Sequence, residues 1–386
     1  MLTNSIKFKN FNQPNRFEKK LKQILQNLLS NQDEIIKSLG KTYSNNYNIK
    51  KLKKFIGGSD IRLIGIGGSS LGAQSIYKFL GDRVKKKFSF FDNLNPKQKY
   101  NKNKATNLII SKSGNTLETI SNANILINKN DKNIFLTENK SSYLFNLAQK
   151  LKAEIIHHNN FIGGRYSVLS EVGMLPAELM GFKANQFRRL NFLIKNKKFV
   201  NSLIQNVSNT LHLIKNKKYN SIILNYDKQS SDLFFWYQQL IAESLGKKSK
   251  GILPIISNMP KDNHSLMQLY LDGFKNSFYT FFFVNESLSP KINNKMLLKT
   301  HSYLNNKTLH HIKKSQFEAT MKVFKKKNIP FRSFSLKKRS EESLGELFIF
   351  FILETILLGR ALKVNPYDQP AVELIKTETK KFLINS

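Results

Sequence analysis

At 386 residues, with 40% hydrophobic and 11% aromatic residues, the chain is long enough for two or three packed domains and too apolar to be disordered. It has no cysteine, which excludes disulfides, thiolate catalysis and Cys-ligated zinc or iron–sulfur centres. Its 63 Lys and Arg against 26 Asp and Glu give a net charge of +37, yet the excess is spread over the whole length, unlike the concentrated basic patch of a dedicated nucleic-acid reader.

Met1 to Asn15 is polar and lacks the apolar stretch of a signal peptide. Phe17, Leu21, Ile24, Leu25 and Leu28 recur at helical spacing after Pro14, so residues 1–50 are expected to form a helical N-terminal region, with a transit peptide as the alternative. With neither a signal peptide nor cysteine, the cytoplasm is the default compartment. Residues 61–66 (IRLIGI) predict a strand that runs through glycines into a helix over 71–80. The same order recurs at 107–110, SKSGNT and 117–127, then at 133–136 and 143–150. Strands alternating with helices imply parallel βαβ units, hence a three-layer α/β domain over 51–190. A Lys-rich helical stretch over 185–217 leads into a second alternation: strand 221–226, helix 233–245, strands 278–284 and 330–336, and a long helix over 341–361. The fold class is therefore α/β, with two tandem three-layer αβα domains over 51–190 and 191–364, mainly parallel sheets, and a C-terminal turn and helix over 365–386. The longest apolar run, 347–358, carries Glu354 and is too short to span a bilayer, so it is expected to be a buried core helix, with no membrane partner.

Ligands of open α/β sheets sit on the loops after the carboxyl ends of the strands. The loop IGIGGSSLGAQ (64–74) offers glycines for close backbone approach and Ser69 and Ser70 at a helix start, but a dinucleotide site or a plain tight turn has the same composition. SKSGNTLET (111–119) places Ser111, Ser113 and Thr116 between a strand and a helix, with Lys112 adding charge. Such a cluster suits a dianionic phosphate, or else caps the helix. Neither loop has P-loop spacing, and neither is followed by a convincing acidic residue for a ribose, so no nucleotide cofactor is expected.

Acid–base candidates lie in the second half. In WYQQLIAESLGKK (236–248), Gln239 and Glu243 are four apart and share a helix face. A carboxylate among Leu240, Ile241 and Leu245 would be partly desolvated and so a better base, or else simply solvated on the helix surface. His264 lies in KDNHSLMQLYLDG, where a structural role is the plainer reading. Arg165 follows a Gly pair in GGRYSVLSEVGMLP, and Gln369 and Lys376 belong to NPYDQPAVELIK; each segment taken singly could be a mere connection.

In order, IGIGGSSLGA, SKSGNTLET, GGRYSVLSEVGMLP, QQLIAESLGK, HSLMQ and NPYDQPAVELIK resemble the successive signature segments of the glucose-6-phosphate isomerase family, over about residues 60 to 376. The resemblance implies two sugar-isomerase (SIS) domains and reversible isomerisation of glucose 6-phosphate and fructose 6-phosphate through an enediolate. It implies a phosphate pocket of Ser69, Ser111, Ser113 and Thr116 with Lys112 beside it, and Glu243 as general base. Arg165 would stabilise the enediolate and Gln239 and Gln369 would line the sugar. His264 and Lys376 would serve ring opening, with the His supplied by the other subunit of a homodimer. It implies neither metal nor cofactor. Asn115, Glu171 and Ala371 depart from the family pattern at positions that carry no chemistry.

Overall fold

The computed structural model describes residues 2–31, 33–97 and 105–385. In chain order its first half contains strand β1 (Ile6–Lys9), helix α1 (Glu18–Asn31), β2 (Asp60–Ile64), α2 (Leu71–Phe79), β3 (Phe88–Phe91), β4 (Ala105–Ile110), α3 (Leu117–Leu126), β5 (Lys132–Thr137), α4 (Tyr143–Lys150), β6 (Glu154–His157) and α5 (Glu171–Leu179). The second half continues with α6 (Lys197–Lys215), β7 (Asn220–Asn225), α7 (Ser231–Leu245), β8 (Leu253–Asn258), β9 (Ser277–Val284), α8 (Leu309–Lys326), β10 (Phe331–Leu336), α9 (Glu341–Ala361) and α10 (Val372–Asn385), with shorter helical turns between them.

Two five-stranded sheets result. One has the order β3-β2-β4-β5-β6 and is parallel throughout; the other, β1-β10-β9-β7-β8, is parallel except for β1. The tandem α/β reading therefore holds, with one difference at the N-terminus. Residues 6–9 pair antiparallel with β10, Ile6 opposite Leu336, and supply an edge to the sheet built mostly from residues 220–336. The alternation in IKFK puts Ile6 in the core and turns Lys7 outward, but four residues are too few for the period to stand out in the sequence.

Successive strand residues face opposite sides, and the core divides accordingly. Leu63, Leu108, Ile110, Ile134 and Leu136 of the first sheet join Ile223, Phe278, Phe282 and Phe334 of the second in one continuous core. The alternate residues Ile64, Ile109 and Phe135 pack under α3 and α4. On the second sheet Ile222, Leu224, Phe281 and Phe331 pack with Phe317 and Phe324 of α8. Helix α9 is buried from Ser343 to Gly359, on every side, and packs against α6 and α7. Ser340 caps it through a reciprocal bond with Ser343, and Glu341 and Glu342 complement the N-terminal end of its dipole. Among the described residues no helix is long and apolar enough to cross a membrane.

The two halves meet along α2 and α7, where the Ser75 hydroxyl donates to the Asp232 carbonyl at 2.8 Å. Nearby, Arg83 binds Glu341 through both nitrogens, at 2.6 and 2.9 Å. The packing of α2 on α7 brings the loop at the carboxyl end of β2 up to one face of α7.

Candidate active site

The Gly-rich loop after β2 lies directly on its neighbours. A Cβ on Gly68 would stand 2.2 Å from the Gly164 carbonyl carbon, so the segment carrying Arg165 can reach the loop only because residue 68 has no side chain. Gly67 has φ +58°, a left-handed backbone, and a Cβ there would be 2.9 Å from Nε2 of Gln239 on α7. Ser69 closes the loop's short turn.

After β4, Ser111 is buried and its hydroxyl is 2.9 Å from that of Thr116. Thr116 occupies the cap position of α3, yet its side chain makes no capping bond, so the first-turn amides of that helix are left to an outside acceptor. Ser113 is exposed and accepts the Asn115 amide at 3.2 Å, while Asn115 itself accepts the Tyr143 amide at 3.0 Å and so has a structural part. The ammonium of Lys112 does not lie free over these hydroxyls. It donates to the Asn160 carbonyl at 2.8 Å and stands 3.5 Å from Glu138.

Glu243 and Gln239 do share a face of α7, one turn apart: Gln239 Nε2 donates to Glu243 Oε1 at 2.9 Å. The other carboxylate oxygen accepts from Arg165 Nη1 at 3.1 Å. Leu240, Ile241 and Leu245 are buried on the core side of the helix, so the carboxylate is half-exposed among polar groups and not desolvated by those residues as its sequence neighbours suggested. Arg165 is 2% exposed, and all five of its N–H groups find acceptors. Nη1 also donates to Gln369 Oε1 at 2.5 Å, and Nη2 donates to the carbonyls of Pro366 and Asp368 at 2.8 and 3.0 Å. Four residues from three chain segments, 165, 239 with 243, and 369, thus form one hydrogen-bonded cluster beside the Gly-rich loop. Oε1 of Gln239 is buried and has no hydrogen-bond partner among the described residues.

His264 and Lys376 are not in that cluster. His264 is exposed, its side chain free of partners among the described residues, after a short turn that follows β8. Lys376 binds Glu373 at 2.6 Å on α10, a helix with no buried residue.

A family model, phosphoglucose isomerase, matches residues 27–253. The glucose-6-phosphate isomerase of Mycoplasmopsis pulmonis is 33% identical over 350 residues, covering 83% of this chain and 82% of that protein. The chain belongs to the phosphoglucose isomerase family. A glucose-6-phosphate isomerase from Methanocaldococcus jannaschii is 31% identical, over 84% of each chain. The fold is shared with a hypothetical protein from Thermus thermophilus, at a TM-score of 0.83, 23% identity and 95% coverage of both chains.

Two further groups of this family member, Lys247 and His158, were not singled out in the sequence. Lys247, one turn beyond Glu243, donates to the carbonyls of Ser244, Asn365 and Asp368 at 3.0, 2.6 and 2.6 Å and so straps the 365–369 turn to the end of α7. The pattern ESLGKK held a hint, since a lysine so close to the end of an apolar helix is placed to bind carbonyls, but nothing in it says which ones. His158, 3% exposed, has Nδ1 2.8 Å from the Asn159 carbonyl, and burial pushes its imidazole down to about 4. The unfolded chain therefore takes up this proton first as pH falls, so the contribution of neutral His158 is complete above about 6.5 and is lost toward 4, by about 1.4 kcal/mol per unit. Urea midpoints of the wild type and of His158→Gln, compared between pH 7 and 5, are expected to converge as pH falls. A constant difference would assign the loss to other groups.

Proposed function

We propose that the chain interconverts glucose 6-phosphate and fructose 6-phosphate, with the Glu243 carboxylate moving one proton between C2 and C1 of the open-chain sugar. The observation that carries this reading is the pairing of that carboxylate with the buried Arg165 guanidinium, at 3.1 Å. A proton beside a carbonyl is only weakly acidic, so a base must be held close to it and the oxygen that gathers charge must meet a fixed cation. Arg165 meets that need: its guanidinium is held in place by α7, through Ser244, and by the 366–369 turn, through Pro366 and Gln369. The hydroxyls of Ser69, Ser111, Ser113 and Thr116, with the open amides of α3, take the phosphate, and Lys112 adds charge at the rim. Gln239 and Gln369, which flank Glu243 and Arg165, bind sugar hydroxyls.

Ring opening falls to His264 and Lys376. Because His264 is exposed and lies outside the cluster of its own chain, the reading places it in the site of a second copy, in a cytoplasmic homodimer. The apolar residues Leu374, Ile375, Phe382 and Ile384, 70 to 76% exposed on α10, fit a helix that another surface covers in the assembly.

Purified protein is expected to convert fructose 6-phosphate at equal rates with and without EDTA, in an assay coupled to glucose 6-phosphate oxidation. Refolding equal amounts of the inactive variants Glu243→Gln and His264→Ala together would rebuild one intact site in each mixed dimer, about a quarter of full activity for random pairing. Inactive wild-type protein would sink the isomerase reading; an active wild type with a dead mixture would sink only the shared site.

A further inference from the structure

The buried polar groups behind Arg165 close into a ring whose proton order can be worked out. The Tyr166 hydroxyl donates to the Pro366 carbonyl at 3.0 Å. Its single proton is thereby used, so the 2.8 Å contact with Ser244 has Ser244 Oγ as donor and Tyr166 Oη as acceptor. Ser244 Oγ in turn accepts from Arg165 Nε at 2.9 Å, and Arg165 Nη2 returns to the same Pro366 carbonyl at 2.8 Å. Ser244 and Tyr166 are both fully buried. Burial pushes the Tyr166 phenol well above its usual range, so it stays protonated and the order does not change with pH.

This ring divides the guanidinium. Nε and both protons of Nη2 are spent on acceptors behind the site; only Nη1 faces Glu243 and Gln369, groups that a ligand can displace or join. We infer that Ser244 and Tyr166 are positioning residues for the isomerisation: their hydroxyls fix the plane of the Arg165 guanidinium so that Nη1 alone is presented to the oxygen that becomes negative. A serine inside an apolar helix would otherwise bond to the carbonyl four residues back; here it is turned outward to orient a side chain of another segment. Without Ser244 Oγ, both Nε and the Tyr166 oxygen lose a partner in a site closed to water, and the guanidinium is free to tilt. A misplacement of this kind weakens stabilisation of the enediolate while leaving the phosphate grip, at the other end of the sugar, as it was.

The inference rests on the proposed role of Arg165, so the test begins with active wild-type protein. Ser244→Ala, Tyr166→Phe and the double variant are assayed with fructose 6-phosphate, and each is titrated with a phosphorylated hydroxamate, a planar mimic of the enediolate. Each single change is expected to lower kcat about 10- to 100-fold with KM within about twofold. Hydroxamate affinity should fall in step with kcat/KM, and the double variant should be no worse than the poorer single one, because one ring is broken either way. Tyr166→Phe keeps the ring packed against Tyr367, 5.7 Å between centroids, and stands in should Ser244→Ala fail to fold. Unchanged kcat, a rise in KM alone, or losses that multiply in the double variant would overturn the inference. An inactive wild type would instead overturn the isomerase reading beneath it.

Discussion

With glutamine in place of Glu243, turnover of fructose 6-phosphate is expected to fall by about 100- to 10,000-fold while KM stays within about twofold. The carboxamide matches the carboxylate in size, and its oxygen can still accept from Arg165 Nη1 or from Gln239 Nε2, the two donors that hold Glu243 in place. What is lost is the basic oxygen: an amide cannot take a proton from carbon, so the loss appears in the chemical step and not in binding. Exchange of the C1 proton of fructose 6-phosphate with solvent should disappear together with turnover. A variant that keeps more than a tenth of wild-type kcat would show that another group is the base.

The largest effect on stability is expected at Arg332, which makes none of the hydrogen bonds of the Arg165–Glu243 cluster. This side chain of β10 and Glu354 of α9 form an ion pair with each partner 1% exposed. Arg332 also donates to Asn206 Oδ1 at 2.9 Å, to Thr280 Oγ1 at 2.9 Å and to the Tyr237 hydroxyl at 3.0 Å. Tyr237 in turn donates to Glu354 Oε2 at 3.3 Å and belongs to α7, the helix that carries Gln239 and Glu243. Arg332→Met would leave a buried carboxylate without its cation, a change that costs about 3–5 kcal/mol, because water cannot reach the orphaned charge. Trp236, the single tryptophan, packs on Phe348 of α9 at 4.8 Å between centroids, so its fluorescence during urea unfolding reports this region. Adding Glu354→Leu to Arg332→Met should recover much of the loss, since an apolar pair needs no counter-charge. A single variant within about 1 kcal/mol of wild type would mean that the network contributes little.

The elements that were legible in the sequence are those buried on both faces. β2, β4, β5, β7, β9 and β10 lie inside their sheets and read as short apolar runs. The four strands not picked out, β1, β3, β6 and β8, are the edges of the two sheets. An edge strand has a neighbour on only one side and tolerates polar residues, so Ile6–Lys9 and Glu154–His157 carry too little pattern to stand out. Helix α9 was the plainest element of all, because 17 consecutive buried residues leave no room for charge except where a partner such as Arg332 is supplied.

The residue types of the site were equally plain: hydroxyls before a helix, an amide and a carboxylate one turn apart, an arginine behind a glycine pair. Helical spacing alone predicted that Gln239 meets Glu243. It could not predict that Glu243 meets Arg165 and not the apolar residues beside it in sequence, because that contact joins residues 78 apart. Nor could it show that Arg165 spends three of its five donors on Ser244, Pro366 and Asp368, or that Lys112 turns to Glu138. From its sequence alone this chain has its alternation of strands and helices, its apolar faces and its stock of chemical groups, since these follow from local spacing and solubility. The direction in which each polar group points was decided only by the tertiary structure, because a buried donor takes whichever acceptor the packing of distant segments brings within about 3 Å.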